Sequence, residues 1–206
     1  GNDTYYVGNA TDVVIENEDE GIDTIISDIN YQLPDNVENL TIEGNRANTY
    51  AYGNNLNNVI IGSSADNEMR GYGGADYIFG GEGNDTIYGG AGDDTLVGGV
   101  GDDFLSGSTG NDTFLFNKGD GIDTVREYAG EQDVVKLGNQ VNKTNIAIYK
   151  DINNNLIIDY GENAGVEQIT VLNQFGSDKS KLVENGFEPL PTWQDALSRY
   201  LKEISF

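Results

Sequence analysis

The stretch "GGEGNDTIYGGAGDDTLVGG" at residues 80–99 repeats itself in nine-residue steps, and that period constrains the chain more than any other feature. With glycine as position one, repeats start at Gly44, Gly53, Gly62, Gly71, Gly80, Gly89, Gly98 and Gly107 without a slip. Position eight reads Ala51, Ile60, Met69, Ile78, Ile87, Leu96, Leu105 and Phe114, apolar in every repeat. One inward-facing side chain per short strand requires this pattern, and a disordered linker has no reason to keep it in register. Position six reads Thr49, Asn58, Asn67, Asp76, Asp85, Asp94, Asp103 and Asp112, so the carboxylate belongs to the later repeats. The glycine at position four follows the same division, running from Gly74 through Gly83, Gly92, Gly101 and Gly110.

Composition limits what such a chain can do. Only 37% of residues are hydrophobic and 28 are glycine, too little for a thick globular core. The 35 acids against 11 bases leave a net charge of -24, which repels nucleic acid and anionic lipid and attracts cations. Cysteine and histidine are both absent, which removes disulfides, thiolate sites and Ser-His-Asp or Cys-His catalysis. No apolar run approaches a membrane span of about 18 residues, and the first residues do not resemble a signal peptide.

The repeat reads G-G-x-G-x-D-x-U-x, and on these residues the chain resembles the RTX (repeats-in-toxin, haemolysin-type) family, in the C-terminal region of a type I secreted protein. The resemblance implies an all-β fold, a parallel β-roll or β-solenoid, with calcium held between loops one eighteen-residue turn apart. It further implies that Asp76 pairs with Asp94, Asp94 with Asp112 and Asp85 with Asp103. The backbone partners it assigns include Gly74, Gly81, Gly83, Gly89, Gly90, Gly92, Gly98 and Gly107. Three calcium sites are expected on this pattern. Two more pairings depart from it: Asn67 with Asp85, where Ala65 replaces glycine, and Asp103 with Asp120 or Asp123. Repeats 44–70, with Asn58 and Asn67 at position six, are expected to continue the roll through stacked asparagines without metal.

Three segments follow. Residues 1–43 read as the end of a preceding repeat block plus a connecting β segment, because "GNDTYYV" matches "GNDTFLF" at 110–116 and "EGIDTII" matches "DGIDTVR" at 120–126. The runs "DVVIE", "DTIIS" and "NLTIE" are expected as short strands, and the chain is expected to begin inside a repeat of something longer. Residues 44–116 form the roll, with metal mainly at 71–116. Residues 117–206 are a β-rich capping region, in which "DVVKL", "NIAIYK", "NLIIDY" and "QITVLNQF" read as strands and 192–204 as a C-terminal helix. A cap shields the apolar end of the last coil. In that helix Thr192 caps with Asp195, and Trp193, Ala196, Leu197, Tyr200, Leu201 and Ile204 share one face; related proteins carry a type I secretion signal near this position. "DINNNLIIDYGE" places Asp151, Asn153, Asn155, Asp159 and Glu162 at EF-hand positions, but Leu156 stands where that loop needs glycine, so a hairpin turn at 151–155 is expected instead.

The resulting expectation is a calcium-binding module that folds on reaching extracellular calcium, after export unfolded by a type I secretion apparatus. The alternative is a ligand-binding module, an adhesin or polysaccharide-recognition segment of a secreted protein or epimerase. Tyrosines flanking the repeat strands, among them Tyr50, Tyr52, Tyr72 and Tyr88, are the residues such a glycan or host-surface ligand would use. No enzyme is expected, and no catalytic residue is assigned. All three prolines follow residues other than aspartate, which excludes the Asp-Pro self-cleavage seen in some RTX proteins.

Overall fold

A computed structural model describes residues 1–126, 133–138, 140–142, 146–150, 153, 155–161 and 167–172. The expected helix at 192–204 lies outside these residues. The described chain contains strands and turns only. In order they are β1 (Thr4–Val7), β2 (Thr24–Ser27), β3 (Tyr31–Gln32), β4 (Asn39–Ile42), β5 (Thr49–Tyr52), β6 (Val59–Ile61), β7 (Asn67–Gly73), β8 (Tyr77–Glu82) and β9 (Thr86–Ala91). They continue as β10 (Thr95–Val100), β11 (Phe104–Thr109), β12 (Thr113–Phe116), β13 (Ile122–Val125), β14 (Val134–Leu137), β15 (Ala147–Lys150), β16 (Leu156–Asp159) and β17 (Gln168–Val171).

From β2 to β15 successive strands go to opposite sheets, as half-turns of a solenoid must. One sheet has eight strands in the order β1-β2-β4-β6-β8-β10-β12-β14, the other nine in the order β15-β16-β17-β13-β11-β9-β7-β5-β3. In the regular part Tyr77 pairs in parallel with Thr95 and Thr95 with Thr113, eighteen residues apart each time. Within a strand the side chains alternate, so positions six, eight and one of each repeat face inward and seven and nine face out. Ile78 and Gly80 of β8 are accordingly buried, while Tyr77 is exposed. The core is a single file of position-eight residues on each sheet. Ile60, Ile78, Leu96 and Phe114 on one sheet and Met69, Ile87 and Leu105 on the other are all fully buried.

The turns are less regular before residue 59. Thr4 pairs with Thr24 and Thr24 with Asn39, so these turns take twenty and fifteen residues. "DTIIS" and "NLTIE" supply β2 and β4 as expected, but "DVVIE" at 12–16 is no strand. The pairing leaves it out: β1 lies directly on β2, the nine-stranded sheet ends at β3, and no described strand pairs with 12–16. Val14 alone packs on the core, leaving Val13 and Ile15 exposed.

Parallel pairing does not stop with the glycine grid. Beyond Phe116, β13 lies on β11, β14 on β12 and β17 on β13. The direction then reverses: β16 pairs antiparallel with β17, and β15 with β16. Each of the four runs expected as strands in the capping region contributes one, β14 to β17, and β15 pairs antiparallel with β16, while the turn expected at 151–155 lies in part outside the described residues. Leu156 opens β16 rather than sitting in an ion-binding loop.

At two repeats, position two carries a side chain in the left-handed backbone conformation that glycine adopts there elsewhere: Tyr72 at φ 76° and Ser108 at φ 81°, against Gly81 and Gly90 at 115° and 124°. An L-residue in this region costs roughly 1–2 kcal/mol, of which glycine returns about 0.4–1 kcal/mol through the greater freedom of the unfolded chain. Ser108→Gly is therefore expected to raise stability by about 0.5–1 kcal/mol, read from denaturant unfolding at saturating calcium.

Candidate metal centre

Each position-six aspartate stands between its glycine loop and the following strand, on the inward face. Its Oδ1 accepts a hydrogen bond from the backbone N–H of the position-six residue one turn earlier. One ladder runs along the edge where the chain enters the eight-stranded sheet: Asn58 N–H to Asp76 at 2.7 Å, Asp76 N–H to Asp94 at 2.8 Å, Asp94 N–H to Asp112 at 2.9 Å and Asp112 N–H to Asp133 at 3.0 Å. The other runs along the opposite edge: Asn67 N–H to Asp85 at 2.7 Å, Asp85 N–H to Asp103 at 2.7 Å and Asp103 N–H to Asp123 at 3.1 Å. The expected pairs are therefore direct neighbours in space.

The second oxygen of these carboxylates is what makes the ladders unusual. Oδ2 of Asp76, Asp85, Asp94, Asp103 and Asp123 is buried without a hydrogen-bond partner, a condition that costs several kcal/mol for a charged group left alone. Removal from water pushes the carboxyls up, Asp76 and Asp103 to about 6, Asp85 and Asp94 to about 7 and Asp123 to about 8, with backbone N–H bonds pulling the other way.

The free oxygens converge on backbone oxygens. A Cβ on Gly89 would overlap Asp94 Oδ2 and come within 2.9 Å of the Gly107 carbonyl oxygen. Gly80, facing Asp85 and the Gly98 carbonyl, and Gly71, facing Asp76 and the Gly89 carbonyl, are arranged alike. Gly89, Gly98 and Gly107 are thus required by the space beside an aspartate, whereas Gly74, Gly81, Gly83, Gly90 and Gly92 have positive φ. The carbonyl oxygens of Gly74, Gly81, Gly83 and Gly92 face the loop one turn on, and that of Gly90 accepts from the Thr109 hydroxyl at 3.3 Å. Donors at these loops are oxygens only, part carboxylate and part carbonyl, the set a hard cation such as calcium takes. The residues fit that ion.

Asparagine at position six satisfies the same place fully at Asn58 and only in part at Asn67, whose Nδ2 is buried without a hydrogen-bond partner. Asn58 Oδ1 accepts from Asn54 N–H at 2.8 Å, and its amide donates to the Glu38 carbonyl at 3.1 Å. Asn67 Oδ1 likewise accepts from Ser63 N–H at 2.7 Å.

Several residues of the arrangement escape the nonapeptide reading. Position five builds a second, exposed ladder of opposite sense: Asn84 N–H donates to Asp66 Oδ1 at 2.7 Å, Asp102 N–H to Asn84 at 2.9 Å and Asn111 N–H to Asp93 at 2.9 Å. The signal was present, since Asn or Asp fills position five in most repeats. The N-terminal block repeats the motif, with Asp3 N–H donating to Asp23 Oδ1 at 2.7 Å and Asp23 N–H to Glu38 at 2.8 Å. Asp3, Glu16 and Asp23 have carboxylate oxygens within 4.8 Å of one another. Irregular turn lengths hide this from a fixed grid.

The fold and its loops define a class: a parallel β-roll whose two edges carry stacked oxygen sites for a hard cation. A family model spanning four copies of the RTX calcium-binding nonapeptide repeat matches the chain at residues 52–87, 79–114 and 88–125. Residues 52–125 are thus similar to the calcium-binding nonapeptide repeats of the RTX family. Among solved structures it is similar to the solution structure of the AlgE6R3 subunit from the Azotobacter vinelandii mannuronan C5-epimerase, at 23% identity and TM-score 0.27, over 62% of this chain and 76% of that one. No curated protein matches the chain.

Proposed function

We propose that this chain is a calcium-triggered folding module of a larger exported protein, held unfolded where calcium is scarce and folded where it is plentiful. The supporting observation is the buried Oδ2 of Asp76, Asp85, Asp94, Asp103 and Asp123, each without a hydrogen-bond partner. Asp76 with Asp94, Asp94 with Asp112 and Asp85 with Asp103 are the proposed ligand pairs, together with carbonyls of the expected glycines. When bound, the ion supplies the positive charge that this arrangement of carboxylates and carbonyls needs. The chain's own part is to hold the carboxylates through backbone N–H bonds and to keep them dry.

Extracellular calcium modules bind at roughly 10⁻⁴–10⁻³ M, so millimolar calcium contributes on the order of 1 kcal/mol per site by mass action. The three sites together contribute about 3 kcal/mol, a large share of the roughly 5 kcal/mol at the lower end of domain stability. This suits passage through a type I secretion apparatus unfolded, followed by folding outside the cell. No catalytic role is part of the reading.

Far-UV circular dichroism during a calcium titration of an EDTA-treated sample, with magnesium as control, tests the reading. A cooperative coil-to-β transition between about 0.1 and 1 mM calcium, absent with magnesium, is the expected result. A β spectrum in EDTA that ignores calcium would overturn it.

A second reading rests on the outer face of the nine-stranded sheet. Tyr50 and Tyr52 stack with ring centres 4.6 Å apart, and the Arg70 guanidinium lies over Tyr52 at 5.4 Å and Tyr88 at 5.1 Å. This platform supports recognition of a glycan by the folded roll. Glycan-array binding at fixed calcium that is lost in Tyr50→Ala would favour it.

A further inference from the structure

At the far end of the roll the ladder of buried aspartates passes from the repeats into the cap. Residues 118–123 take the places of positions one to six of a further loop. Gly101 N–H donates to the Asp120 carbonyl at 2.6 Å, as Gly83 N–H does to the Val100 carbonyl at 2.9 Å one turn earlier. Ile122 N–H donates to Asp102 Oδ1 at 3.0 Å, continuing the position-five ladder, and Asp103 N–H donates to Asp123 Oδ1 at 3.1 Å.

Two carboxylates foreign to the nonapeptide close on this loop. Asp120 Oδ2 accepts from Asn117 N–H at 2.5 Å, and Glu167 Oε1, just before β17, accepts from Gly119 N–H at 2.8 Å across 48 positions of sequence. Gln168 N–H donates to the Gly121 carbonyl at 2.9 Å beside it. Asp103, Asp120, Asp123 and Glu167 are thereby gathered where the roll meets the cap.

Two buried polar atoms in this group have no hydrogen-bond partner, Asp123 Oδ2 and the Tyr160 hydroxyl, on residues 0% and 2% exposed. Tyr160 stands beside Glu167, to whose carbonyl its N–H donates at 3.1 Å. Buried oxygens left without a partner are not a stable end state for protein groups alone. The donors are again hard oxygens.

We propose that the cap completes one further calcium-type site, in which Asp103 and Asp123 are ligands and Glu167 is a positioning residue that holds the 118–121 loop through Gly119 N–H. The site rests on the calcium reading of the roll and adds that the roll's last site is incomplete without the cap. Binding of that ion and docking of β17 on β13 become one event.

Calcium titration calorimetry on the full chain at pH 7.5, with circular dichroism on the same samples, tests this. Asp123→Asn is expected to bind one calcium fewer than the unmodified chain. Glu167→Ala is expected to weaken the junction site about tenfold, as loss of an outer hydrogen-bonding partner does, while Glu167→Gln, which keeps an acceptor for Gly119 N–H, restores it. Unchanged number and affinity in both Asp123→Asn and Glu167→Ala would overturn the junction site and leave the roll reading intact. Should Asp123→Asn fail to fold at any calcium concentration, the Glu167→Ala and Glu167→Gln pair decides. An unmodified chain that binds no calcium would remove the roll reading and this site with it.

Discussion

Gly89→Ala is expected to cost about 1–3 kcal/mol of folded stability, the usual toll of overpacking a close-packed site, and to raise the calcium concentration for folding at least tenfold. The alanine Cβ would overlap Asp94 Oδ2 and lie 2.9 Å from both the Asp94 carboxyl carbon and the Gly107 carbonyl oxygen. Backbone strain is not the cause, since Gly89 does not have positive φ. The added carbon occupies the place where a carboxylate oxygen and a carbonyl oxygen converge, so it affects both the apo fold and the proposed ligand geometry. Gly73→Ala is the control, because its nearest new neighbour is Asn55 Oδ1 at 3.4 Å. The control is expected to change the calcium midpoint less than twofold. Equal midpoints for the two variants, read by circular dichroism, would show that the position-one glycine is dispensable to the site.

The second large effect is on pH, and its sign depends on calcium. Without metal, Asp76, Asp85, Asp94, Asp103 and Asp123 are raised from 3.8 to about 6–8, mainly by desolvation. Between about pH 4 and pH 8 the folded chain therefore holds protons that the unfolded chain releases, and stability falls as pH rises through that window. Each such carboxyl contributes at most about 1.4 kcal/mol per pH unit. Metal-free chain is expected to gain β structure as pH is lowered from 8 to 5. With calcium the direction reverses, because protons and the ion compete for the same oxygens, and calcium affinity is expected to fall as pH drops below about 7. Asp94→Asn should imitate acid at neutral pH: more structure in EDTA, and loss of both sites that share Asp94. Metal-free stability that rises with pH instead would contradict the dry, uncompensated state of these carboxylates.

Much of this was legible in the nonapeptide. A period of nine with one apolar residue at position eight specifies two inward files, and the structure buries Ile78, Ile87, Leu96 and Leu105 completely. The pairings of Asp76 with Asp94 and Asp85 with Asp103 needed the resemblance to the RTX family as well, which implied that one turn takes two repeats, and the structure places these residues as neighbours. Where the period slips, the reading loses its ruler. "DVVIE" has the alternation of a strand and no partner, and Asp23 continues a ladder with Asp3 that turns of twenty and fifteen residues conceal.

The sequence by itself thus determined the regular roll, its thin core and the acidic loops, because those follow from local chemistry repeated at a constant interval. Only the tertiary structure decided which oxygen of each carboxylate is spent on a backbone N–H and which stays free. It also decided why position one must be glycine despite ordinary φ, and how Asp123, Tyr160 and Glu167 meet at the cap. The ladders and the junction depend on contacts between residues 18 to 48 positions apart, and the position-one glycine on a rotamer of the aspartate five residues on that those contacts fix; no local pattern encodes either.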